Sequence, residues 1–187
     1  MSFDYAASGL PDNKQWKAAT VLCNEWLNRN MSMFGPERIA RFMLNQPVTA
    51  AKLIMENCPD WSEESVTLAL LGPAKESLLA GVAAANDIFS TRTTALLAAM
   101  AGKGVADAAM ERDMTRLFLV EGLSTMNDQL IGRKQIDKHH QVRWNILHEL
   151  EKNFSDVKGK NPALDVIFAQ ALKDSRAALQ ALDAAVK

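Results

Sequence analysis

Basic excess, cysteine, strand-forming runs and catalytic signatures are all scarce in this chain. Lys and Arg total 21 against 22 Asp and Glu, a formal net charge of -1. That balance argues against a nucleic-acid partner, which calls for a basic domain. Only two cysteines occur, Cys23 and Cys58. One disulfide is conceivable, but so sparse a pair reads as reduced thiols in a cytoplasmic protein rather than as a secreted disulfide framework. The opening "MSFDYAASGLPDNKQW" is polar and acidic and lacks the apolar run of a signal peptide or anchor. Lys75, Asp87 and Arg92 interrupt the most apolar third, so no stretch is expected to span a bilayer. There is no HExxH, CxxC, Walker or GxSxG motif. Runs of β-branched residues and Asn-Gly or Asp-Gly hairpin turns are also missing.

What remains is helix-forming. Ala, Leu, Met, Glu, Lys and Gln dominate the 187 residues, a length suited to a single domain over 1–187 with one sizeable core. Proline and glycine divide the chain. A first helix is expected over 12–29, capped by Asp12 or Asn13, with Trp16, Ala19, Cys23, Trp26 and Leu27 on one face. "MSMFGPE" reads as a turn, with Pro36 opening a helix that carries Ile39, Phe42 and Met43 and stops before Pro47. Further helices are expected over 48–57, 66–71, 75–86, 91–100, 109–130, 138–154 and 163–186. Ser62 and Ser65, around Glu63 and Glu64, read as a capping box. The segment 66–71 is apolar almost all round and should be central. The expected architecture is all-α, a multi-helix bundle.

Few residues point to chemistry. His140, Trp144 and His148 share one helical face, but two residues eight apart lie about 12 Å apart along the axis, too far to share a metal readily. They read as polar rings at a helix seam. "KGVADAAMERDMTR", with Asp113 in it, reads as a solvated, charge-paired face, and "IGRKQIDKHHQVR" as a short basic run. Trp61 sits in a loop, as a satellite core residue or as an exposed interface anchor.

The order of segments in the middle half of the chain resembles the HD-domain hydrolases, specifically the RelA/SpoT-type alarmone hydrolases and their small single-domain relatives. "QPVTAAKLI" (46–54) resembles their first motif, with Gln46 in place of a metal-binding histidine. "LALLGPAKES" (68–77) resembles the second, with Gly72-Pro73 in place of the His-Asp pair and Glu76-Ser77 in place of Glu-Asp. "FSTRTTALL" (89–97) is similar to the segment that follows, and "LVEGLSTMND" (119–128) to the third motif, with Glu121 in place of a metal-binding Asp.

The resemblance implies an HD-type helical bundle whose manganese ligands are lost. Gly and Pro side chains carry no donor, and one carboxylate does not hold a catalytic ion. The expectation is a pseudoenzyme without metal or cofactor that acts by binding, with Gln46, Gly72, Pro73, Glu76, Ser77 and Glu121 around a degenerate pocket. Its concrete form is an antitoxin or immunity protein that blocks an alarmone-synthetase toxin by contact. Trp61, Arg133, Arg143 and Trp144 are the candidate anchors, and a bound nucleotide is compatible with the pocket. The alternative is a divergent (p)ppGpp pyrophosphohydrolase using Glu76 and Glu121, and the bland alternative is a plain helix break at Gly72-Pro73.

Overall fold

The computed structural model describes residues 5–34, 46–80, 87–131 and 140–185. All regular structure among them is helical, which establishes the all-α class. A 3-10 turn (Tyr5–Ser8) precedes α1 (Lys14–Phe34), α2 (Gln46–Asn57), α3 (Glu63–Leu71), α4 (Ala74–Ala80), α5 (Thr91–Met100) and α6 (Ala108–Thr125). A π-helical segment (Met126–Ile131), α7 (His140–Val157) and α8 (Pro162–Ala184) follow. No helix of the described residues is long and apolar enough to cross a membrane. The chain divides into two compact units, residues 1–117 and 118–187, with the division inside α6.

The first unit is built around α3. Ser65 through Leu71 are all buried, so the helix that is apolar on every side is indeed central. It packs against α1, α2, α4 and α5. Side-chain caps start four of the helices. Asn13 caps α1, its Oδ1 accepting from the amides of Gln15 (2.9 Å) and Trp16 (3.1 Å). Ser62 caps α3 by accepting from the Ser65 amide at 3.0 Å. The expected capping box is only half formed, because the Ser65 hydroxyl donates to the Ser62 carbonyl at 2.9 Å instead of engaging the Ser62 amide. Ser90 caps α5 and Asp107 caps α6 in the same manner.

Several boundaries move. α1 continues to Phe34, into the segment expected to turn. Pro47 lies in the first turn of α2, where its missing N–H costs no hydrogen bond. The expected helix carrying Ile39, Phe42 and Met43 and the end of the 75–86 helix lie outside the described residues. The long helix expected over 109–130 is α6 and then a π-helical segment, whose wider turn carries Asp128.

In the second unit α7, α8 and the π-helical segment pack on one another. Phe168 is fully buried and stacks on Phe154 with ring centroids 4.8 Å apart, and Phe118 lies 5.7 Å from it. Gly122 makes room for that ring, since a Cβ there would stand 2.6 Å from Phe168 Cε2. Both cysteines are free and buried.

Candidate functional site

The opening of the family-like segment and its middle do meet. α3 ends at Gly72, whose φ of 49° and ψ of -129° suit glycine and turn the chain into Pro73. A Cβ on Gly72 would lie 2.9 Å from Pro47 Cγ and 3.5 Å from Cys23 Sγ. The start of α2, next to Gln46, therefore abuts the end of α3, with a thiol of α1 beside them. The contact is packed by a proline ring and a sulfur. Burial pushes the Cys23 thiol up to about 12, and the neighbouring Lys75 ammonium only partly offsets this. Lys75 itself is 7% exposed.

Glu76 and Ser77 are exposed on α4, and Gln46 is half-buried at the head of α2. Glu121 is half-buried on α6 and belongs to the second unit, whereas Glu76 belongs to the first. Manganese needs imidazole or carboxylate donors around an open position. The Gly72 contact offers a proline ring, one thiol and a filled space, so the residues shown there do not fit the ion. Among the described residues, no group of three His, Cys, Asp or Glu side chains is placed to hold a metal. A separate groove of about 530 Å³ runs between the first turn and α1, lined by residues that include Tyr5, Leu10, Lys17, Thr20 and Val21. None of the sequence-predicted residues lines it.

The anchor candidates differ among themselves. Arg143 is buried at 5% exposure. Trp144 is half-buried on α7, with the Arg176 guanidinium 5.8 Å over its ring and the His148 ring 5.8 Å away. Arg176 also grips Glu151 with two 2.6 Å bonds, and His140 Nε2 lies 2.6 Å from Asp183 Oδ1. The face seen in the sequence is thus a polar and aromatic seam between α7 and α8. Arg133 lies outside the described residues. Trp61 is 37% exposed, its ring centroid 6.0 Å from that of the buried Trp16.

One cluster is not foreseen from the sequence. Asp113 and Arg116, expected on a solvated face, are each only 3% exposed and pair at 3.1 Å. They are buried because they hold the loop between α2 and α3. Arg116 donates to the Asp60 carbonyl (3.2 Å) and to its carboxylate, and Ser62 Oγ donates to Asp113 Oδ2 at 2.6 Å. Desolvation works against ionisation of Asp60, but the charge and hydrogen bond of the Arg116 guanidinium, with a backbone hydrogen bond and Arg112, together hold that carboxyl below its ordinary value. The i,i+3 spacing of Asp113 and Arg116 ahead of apolar Leu117 was the available signal; the partner loop lies more than 50 residues away.

The helices and these sites define an all-α protein. Compared with known proteins, the chain matches no family model, no curated protein and no solved structure.

Proposed function

We propose that this protein acts by binding a protein partner and not by catalysis, on a degenerate fold of the alarmone-hydrolase kind. The observation that supports the reading is the Gly72 contact, where Pro47 and Cys23 pack against the position that the resemblance aligns with the His-Asp pair of those hydrolases. Without a metal there is nothing at that place to bring a water's pKa near neutrality. A stable helical unit that has lost such chemistry still offers surface. The concrete partner is an alarmone-synthetase toxin neutralised by direct contact, which calls for an interface of roughly 1,200–2,000 Å² with aromatic or arginine anchors.

The test is incubation of the purified chain with guanosine and adenosine tetra- and pentaphosphates in the presence of manganese, following pyrophosphate release. No release is expected, together with stoichiometric inhibition when an alarmone synthetase is titrated with the chain. Release that disappears in Glu76→Ala or Glu121→Ala would overturn the reading and establish a divergent pyrophosphohydrolase.

A further inference from the structure

The loop of residues 58–62 is fixed on both sides of an exposed tryptophan. The Trp61 amide donates to the Cys58 carbonyl at 3.0 Å. Asp60 is held at its carbonyl and carboxylate by Arg116, and Ser62 by Asp113 and the Ser65 amide. The indole rests with one side toward Trp16 and remains 37% exposed. Trp16 donates its own indole N–H to the Glu63 carbonyl at 3.3 Å, but the Trp61 indole N–H has no hydrogen-bond partner among the described residues. A rigid, partly exposed tryptophan with a free donor has the properties of an interface anchor, because the cost of ordering its loop is met on folding and not on binding.

Charge indicates what would dock there. Glu56, Asp60 and Glu64 border the loop along the chain, and Asp60 is 57% exposed. Arg116 is buried and matched by Asp113, and the half-exposed Arg112 lies 3.8 Å from Asp60. Glu56 and Glu64 are the further acidic neighbours of the loop along the chain. We propose that the Trp61 loop is the docking point for a basic segment of a protein partner, with Lys or Arg meeting Glu64 and Asp60 and an acceptor meeting the indole N–H. The assignment rests on the binding reading above and names its surface.

The experiment is to pan random peptides displayed on phage against the full chain and to titrate synthetic copies of the enriched peptides. Enriched peptides should carry Lys or Arg beside an apolar residue. Trp61→Ala, checked for folding by circular dichroism, should weaken them by roughly thirtyfold or more. Glu64→Lys, a surface change that leaves the indole in place, should weaken them several-fold, and the loss should grow smaller as salt is raised. No enrichment, enrichment of neutral or acidic peptides, or affinities unchanged in both variants would overturn the assignment. Pyrophosphate release by the same preparation would overturn the binding reading itself, whatever the peptides do. Failed panning without release would overturn the loop alone.

Discussion

Replacing Gly72 by alanine tests the packing of the first unit at its tightest contact. Two costs add. The backbone conformation, φ 49° and ψ -129°, is one that glycine adopts and other residues avoid, at about 1–3 kcal/mol. The new methyl would also stand 2.9 Å from Pro47 Cγ, and a proline ring cannot swing away as a long flexible side chain can. Overpacking of that kind costs about 1–3 kcal/mol. Together they predict a loss of about 2–6 kcal/mol. Gly102→Ala is the control: its φ is also positive, at 68°, but nothing lies within 4 Å of the added Cβ. It should cost about 1–2 kcal/mol, the backbone share alone.

The assay is urea unfolding followed by tryptophan fluorescence in a Trp144→Phe background. The three remaining tryptophans, Trp16, Trp26 and Trp61, all belong to the first unit, so the signal reports that unit. Combining Gly72→Ala with Pro47→Ala should recover about 1 kcal/mol or more, as expected for residues in direct contact. A loss at Gly72 no larger than at Gly102, or a double-mutant cycle that closes to zero, would refute the claim that Pro47 is what fills this place.

Two further outcomes follow from buried groups. Arg116→Ala leaves Asp113 as an uncompensated buried carboxylate and should cost about 3–5 kcal/mol in the same unfolding assay, with Trp61 emission shifting as its loop loosens; a loss under about 1 kcal/mol would show that the pair is not holding the loop. Folding raises the Cys23 thiol from an ordinary 9.0 to about 12, so the unfolded chain ionises first. The stability this represents is present below pH 9 and is lost as pH rises toward 12, and Cys23→Ala should flatten that alkaline limb. Ellman's reagent should meanwhile react with Cys23 only after urea is added.

Features that depend on near neighbours could be read from the sequence. Ser62 caps α3 because a hydroxyl three residues before an amide can reach it. The all-round apolar stretch of α3 had to be central, because only a helix surrounded by others can bury every side. The seam on α7 showed as His140, Trp144 and His148 at helical spacing. Its partners, Asp183 and Arg176, did not show, because no local rule connects them to that face. Charge was the main source of error. A run of Asp, Glu and Arg reads as solvated, yet Asp113 and Arg116 are buried. Whether a charge enters the interior depends on a partner close enough to offset desolvation, and those partners, Asp60 and Ser62, come from another part of the chain.

The fold moves two of its described carboxyls in the same direction. The carboxyls that this fold visibly tunes are Asp60 and Asp107, and both are moved down. At Asp107 the main cause is the Met110 amide that it caps, assisted by Arg92. At Asp60 desolvation is outweighed by the Arg116 charge and hydrogen bond together with a backbone hydrogen bond and Arg112. Both are thereby held ionised as fixed acceptors that start a helix or lock a loop. Arg116 and Asp113 are buried charges of this unit, and their hydrogen bonds are directed at the backbone and side chains on either side of Trp61. Those buried charges hold the loop that carries the exposed indole, and the proposed docking of a basic segment rests on that geometry.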